Sequence, residues 1–104
     1  MEESDMNMIE TDCGSYIRLM VEGRIDVTTS PKLQAQILNC FQKKNELVVD
    51  FLNVEYISSA GLRALLIGQK TALSKKGKME IVNVSKDVMT VLTMTGFNKI
   101  LTIQ

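Results

Sequence analysis

Val49-Asp50-Phe51-Leu52-Asn53-Val54-Glu55-Tyr56-Ile57-Ser58-Ser59-Ala60-Gly61-Leu62-Arg63-Ala64-Leu65-Leu66 reads as a strand, a short polar loop, and paired serines opening an apolar helix. The first N–H groups of a helix lack intrahelical partners and the helix dipole adds partial positive charge beside them, so an anion there is stabilised. Ser58 or Ser59 can cap this helix as a bare hydroxyl. Either can also carry a phosphoryl group without disturbing the fold. On residue type alone, a serine ahead of a helix is an N-cap and nothing more.

Outward from that stretch, the hydrophobic period changes in a regular order. Leu47-Val48-Val49 lacks alternation, which predicts a strand covered on both sides at the centre of a sheet. Upstream, Met6, Met8 and Thr11, then Ile17, Leu19 and Val21, alternate with polar neighbours and read as two strands. They are joined as a hairpin over residues 12–15, where Gly14 permits a tight turn. Ser30 and Pro31 suit the cap and first position of a helix that buries Leu33, Ile37, Leu38 and Phe41 and ends at Lys43-Lys44-Asn45.

Downstream, Leu62, Leu65, Leu66 and Leu73 recur at helical spacing, with Lys75-Lys76-Gly77 supplying cations and a left-handed cap. Met79, Ile81 and Val82 form a fourth strand. Ser85 starts a short helix with Val88, Val91 and Leu92 on one side, which Gly96 stops, and residues 100–103 give a last short strand. Strands alternating with helices imply an α/β class, a mixed sheet of about four to five strands packed with about three to four helices. There is no linker or internal repeat, so residues 1–104 read as a single domain, with fraying expected only at the first few residues and the tail.

Composition narrows the function. Twelve basic and twelve acidic residues cancel over 104 positions, which leaves no long-range field to draw the chain to nucleic acid or an anionic membrane. No apolar run reaches the ~20 residues of a membrane helix, and residues 1–5 lack the character of a signal peptide, so a cytoplasmic protein is expected. Cys13 and Cys40 lie far apart, and without histidine no zinc-type metal site assembles; Cys40 is read as a core-facing helix residue and Cys13 as a loop thiol. The same lack of histidine removes the commonest general base and the Ser-His arrangements. Neither a catalytic residue nor a cofactor is assigned.

The spacing from Asp50 through Ser59 to Gly61-Leu62 resembles the signature of STAS domains, the sulfate-transporter and anti-sigma-factor-antagonist family, in its small bacterial stand-alone form. Gly23-Arg24-Ile25-Asp26, then Thr28, Thr29 and the helix near Ser30-Pro31, resemble the family's second strand, acidic loop and first helix. The chain departs in two places: Ser58 stands where many phosphorylated members carry aspartate, and Asp50-Phe51-Leu52 where many have Asp-Leu-Ser. The resemblance implies a phosphoacceptor two positions before the Gly-Leu pair, Ser59, with Ser58 as the alternative.

It further implies partner switching. The unmodified domain binds an anti-sigma factor that is also its ATP-binding serine kinase, freeing the sigma factor; phosphorylation ends the complex, and a serine phosphatase restores it. Asp26, Thr28, Thr29, Asn53, Ser58, Gly61 and Arg63 are then the expected partner-binding residues. Each has a plainer role open to it. Asp26, Thr28 and Thr29 serve as turn and cap chemistry, Arg63 as a solvated cation, and Gly61 as a small residue where helix and strand approach closely. Asp50 is read as a brace that accepts backbone hydrogen bonds. Two other functions compete: a STAS subunit of a lipid-transport ATPase or sensory scaffold in which Ser59 merely caps, and a small phosphoryl-transfer or nucleotide-binding enzyme. The second would act without histidine or a glycine-rich phosphate loop.

Overall fold

The computed structural model describes residues 6–104, so the expectations for residues 1–5 lie outside the described residues. The elements are β1 (Met6–Asp12), β2 (Ile17–Ile25), α1 (Ser30–Lys43), β3 (Glu46–Ile57), α2 (Ser59–Ser74), β4 (Lys78–Val82), α3 (Lys86–Thr95), a 3₁₀ turn (Phe97–Lys99) and β5 (Thr102–Ile103). The sheet order is β1-β2-β3-β4-β5, with β1 antiparallel to β2 and every other pair parallel. A mixed five-stranded sheet with three α-helices is the expected class.

The hairpin forms as its sequence demands. Gly14 takes φ +94°, its N–H donates to Asp12 Oδ1 at 2.9 Å, and Cys13 N–H donates to the Tyr16 carbonyl at 2.9 Å. Glu10, and not Thr11, continues the inner face begun by Met6 and Met8, because α1 offers it partners: Gln36 Nε2 and Lys43 Nζ both donate to its carboxylate at 2.6 Å. The neighbouring Cys40 is buried, and burial with the Glu10 charge beside it pushes its thiol up to about 12.

β3 differs most from expectation. The residues read as a polar loop before the serines stay in the strand, which runs unbroken to Ile57. Between Met20 and Arg24, β2 advances four residues while β3 advances six, from Asp50 to Tyr56, so β3 carries two bulges. The polar pattern of this stretch reflects bulging. At the centre of β3 one face is fully covered, with Leu47, Val49 and Phe51 buried, and the other only in part: Asp50 is buried there, while Val48 and its neighbours Arg18 and Glu80 are half-buried.

Two helix boundaries shift for identifiable reasons. The cap of α1 is Thr29, which places Ser30 first and Pro31 second in the helix. Thr29 holds that position because its hydroxyl is fixed between the Asp26 N–H and the Arg24 carbonyl. After α2 the left-handed residue is Lys76, φ +58°, and not Gly77. Gly77 is required for space, since a Cβ there would lie 1.8 Å from the Asn45 carbonyl oxygen. On α2 the buried stripe is Gly61, Leu62, Ala64, Leu65, Gly68 and Ala72; Leu73 falls outside it and is 66% exposed, and Leu66, like Leu38 of α1, is half-buried.

Ser85 Oγ accepts from Val88 N–H at 3.2 Å, and Gly96 stops α3 at φ +80°. The last strand is shorter than expected because the 3₁₀ turn consumes the residues before it; Leu101 enters the core and Ile100 stays exposed. The tail is tied down at its end, where Gln104 N–H donates to the Ile81 carbonyl.

Candidate functional site

Adjacent parallel strands β2 and β3 deliver their carboxyl ends side by side, and each continues into a helix. Ser58 N–H donates to the Ile25 carbonyl at 2.8 Å, which locks the start of α2 to the residue before Asp26. Ser58 is extended, φ −98° and ψ 176°, the geometry of an N-cap, and its hydroxyl accepts from Gly61 N–H at 3.4 Å while its carbonyl accepts from Leu62 N–H. Ser59 is the first helical residue and is exposed; among the described residues its hydroxyl has no hydrogen-bond partner. The two serines therefore divide the roles left open by sequence: Ser58 caps, and Ser59 presents a free hydroxyl at the positive end of the helix.

Gly61 sets how closely α2 approaches the strands. A Cβ there would lie 2.6 Å from Ile25 Cγ2 and 2.8 Å from Ile57 Cγ1, so a larger residue would push the Ser58–Ser59 turn off the sheet. Asp50 fixes β3 from further back. It is buried, accepts from Leu52 N–H at 2.9 Å and Asn83 Nδ2 at 3.1 Å, and pairs with Arg18. Burial raises its pKa, but the Leu52 and Asn83 hydrogen bonds and the Arg18 guanidinium outweigh that and hold it below the ordinary carboxylate value. The expected brace is present, with two distant side chains added to it.

The β2–α1 loop forms the other wall. Asp26 Oδ1 accepts from the Thr28 hydroxyl at 2.7 Å, Thr28 N–H at 3.0 Å and Thr29 N–H at 3.1 Å. These bonds, the Thr28 hydroxyl foremost, hold its carboxyl below the usual range, so it is an anion at neutral pH. Thr28 and the Val27 side chain between them are exposed, Val27 by 73%.

The site residues expected from sequence thus separate. Asp26, Thr28, Ser58, Ser59 and Arg63 gather on the two loops and first helical turns, whereas Thr29 and Gly61 are buried beneath them as supports. Asn53 sits back along β3, its Nδ2 3.4 Å from Glu22 Oε2.

Sequence reading missed the neighbours that make this a surface. Arg63 lines a groove of about 400 Å³ between α1 and α2 with Pro31, Gln34, Leu38, Ala60 and Ile67. Arg24 stacks on Tyr56, its guanidinium 4.3 Å from the ring centroid, on the paired strand ends. Val27 was detectable, as an apolar residue inside an otherwise polar turn. The groove was not, because it requires knowing that α1 and α2 lie side by side. Among the described residues no group of three or more His, Cys, Asp or Glu side chains is placed to hold a metal, and no helix is long and apolar enough to cross a membrane.

These features define a small α/β domain that displays a helix start and an adjoining loop at the carboxyl ends of parallel strands. The STAS domain model matches residues 9–104, and the chain belongs to the STAS domain family. Among solved structures it is similar to an anti-sigma factor antagonist from Mycobacterium paratuberculosis, at 22% identity and TM-score 0.80, covering 99% of this chain and 89% of that one. It is similar to the anti-sigma factor antagonist SpoIIAA in its unphosphorylated form, at 14% identity and TM-score 0.79, covering 94% and 88%. The phosphorylated form of SpoIIAA, described as a Bacillus cell fate determinant, matches at 13% identity and TM-score 0.72, covering 94% and 91%. At these identities the likeness is one of fold.

Proposed function

We propose that this chain is an anti-sigma factor antagonist that works by partner switching, with residues 1–104 acting as one cytoplasmic STAS domain and Ser59 as the phosphoacceptor. The observation that carries the reading is the free, exposed Ser59 hydroxyl on a helix start already capped by its neighbour. The serine is the substrate of another enzyme and not a catalyst in its own chain, since no residue type able to activate it at neutral pH stands beside it in sequence. An ATP-binding anti-sigma kinase supplies the base and the Mg²⁺-nucleotide, and a serine phosphatase reverses the step.

Phosphorylation adds about −1.5 to −2 charges at pH 7. The N–H groups of Ser59 and Ala60 have no partner among the described residues, so the helix start accepts that charge without refolding. The effect falls on the partner. A dianion on the helix start that Ser58 ties to the residue before Asp26, one position ahead of the groove residue Ala60, repels and blocks a protein docked across Asp26, Val27, Thr28 and Arg63.

The test uses the protein as bait in extracts of its own host. Ser59→Ala is expected to retain a kinase of the ATP-binding anti-sigma type, and Ser59→Asp to release it. Equal retention by both variants refutes charge at Ser59 as the switch. Recovery of a transporter ATPase or a large sensory assembly by both assigns the chain to a scaffold in which Ser59 only begins a helix.

A further inference from the structure

The β1 edge of the sheet offers a second surface, unrelated to the serines. β1 is an outer strand of seven residues, whereas β5 at the opposite edge has two. In an antiparallel ladder, residues alternate between those that bond inward and those whose N–H and C=O point to the free side. The Cys13 to Tyr16 bond makes that pair an inward one. Counting back by two along the register, Thr11 with Arg18, Ile9 with Met20 and Asn7 with Glu22 also bond inward. The backbone groups of Met8, Glu10 and Asp12 therefore point away from the sheet. Edge strands that stay single are normally blunted by charged side chains, lysine above all, by an inward-pointing charge, by proline or by a bulge. β1 has no lysine, proline or bulge, and its two acids, the inward Glu10 and the exposed Asp12, are each paired with a lysine of the same chain.

We propose that β1 pairs antiparallel with β1 of a second copy about a two-fold axis at Ile9, joining two five-stranded sheets into one. The register follows from the outward residues. Met8 exchanges hydrogen bonds with Glu10 of the partner subunit, and Ile9 faces Ile9 of the partner subunit across a non-hydrogen-bonded position. A register centred on Glu10 would set two carboxylates opposite each other, while the Ile9 register sets each acid opposite a methionine.

Charge on this edge is already balanced within the chain. Lys43 Nζ lies 2.6 Å from Glu10, and Lys44 Nζ lies 3.7 Å from Asp12, so two such strands meet without net repulsion. Ile9, 54% exposed beside Met20 on the open face, gains an apolar neighbour. One short strand from each copy is well below the roughly 20–30 residues a side of a standard interface, so the dimer is weak and concentration-dependent.

Cysteine cross-linking in a Cys13→Ser background reads the register directly. Facing residues at a non-hydrogen-bonded position have Cα atoms about 4.5 Å apart, within disulfide reach. Ile9→Cys is expected to oxidise to a covalent dimer. Thr11→Cys faces residue 7 of the second copy, about 14 Å from its own counterpart, and is expected to remain monomeric. Sedimentation of the unmodified protein should show mass rising from one chain towards two with concentration, and Ile9→Lys, folded by circular dichroism, should abolish the rise. A single-chain mass up to about 1 mM, equal cross-linking of both cysteines, or a dimer that survives Ile9→Lys overturns the proposal.

Discussion

Replacing Asp50 by alanine should cost more stability than any other single change at the polar face of the sheet, and the structure gives the size. The carboxylate satisfies the Leu52 N–H and the Asn83 amide and pairs with Arg18. Without it, the Leu52 N–H at the β3 bulge is left unpaired, a loss of about 1–3 kcal/mol. Arg18 contributes little to the penalty because its side chain is 37% exposed and turns to water, as surface pairs do at about 0–1 kcal/mol. Asn83 is likewise exposed and can be solvated. The expected total is about 1–4 kcal/mol, a large part of the roughly 5–15 kcal/mol that holds a small domain folded.

Urea denaturation at pH 7, followed by circular dichroism, measures it. Asp50→Asn keeps an acceptor for Leu52 and should lose about half as much, and Arg18→Ala about 1 kcal/mol or less. A cost for Asp50→Ala within about 0.5 kcal/mol of zero, the range of ordinary surface changes, would refute the brace. Equal costs for Arg18→Ala and Asp50→Ala would show that the ion pair, and not the backbone donor, governs the site.

Other expectations rest on separate features. Asp26 and Asp50 have folded pKa values below the ordinary aspartate value of about 3.9, so their contribution to stability is complete above that pH and is lost as pH falls through the folded values; an acid titration of unfolding free energy should fall less steeply for Asp50→Asn than for the unmodified chain. Cys13 is exposed while Cys40 is buried with its thiol pushed up to about 12, so a thiol reagent at pH 8 should modify one cysteine quickly and the second only on unfolding; two fast thiols would contradict the α1 packing. Gly77→Ala drives a Cβ into the Asn45 carbonyl and should destabilise by about 3 kcal/mol, whereas Gly14→Ala, with open space around it and only a positive φ to strain, should cost about 1 kcal/mol, both read by the same denaturation assay.

What the sequence made legible was local. The Gly14 turn, the Ser85 cap, the Gly96 stop and the serine-led start of α2 each need only a few neighbouring residues, and each stands where it was read. The positions that moved depend on partners far away in the chain. β3 remains a strand through its polar stretch because β2 pairs with it across two bulges, which no period within β3 reveals. Gly77 is glycine because Asn45 passes beside it, and Thr29 caps α1 because Arg24 and Asp26 hold its hydroxyl. The site followed the same rule. Ser58 and Ser59 were found as a pair by pattern, but which one caps and which stays free emerged only from the hydrogen bond between Ser58 and Gly61. Arg18 and Asn83, which complete the Asp50 brace, lie more than thirty positions from it.

The most direct test of the central claim is peptide-level phosphorylation mapping of the protein isolated from its own host across growth states. The account predicts a single phosphate on Ser59, lost in Ser59→Ala and retained in Ser58→Ala. Phosphate on Ser58, or none on either serine in any state, would contradict it.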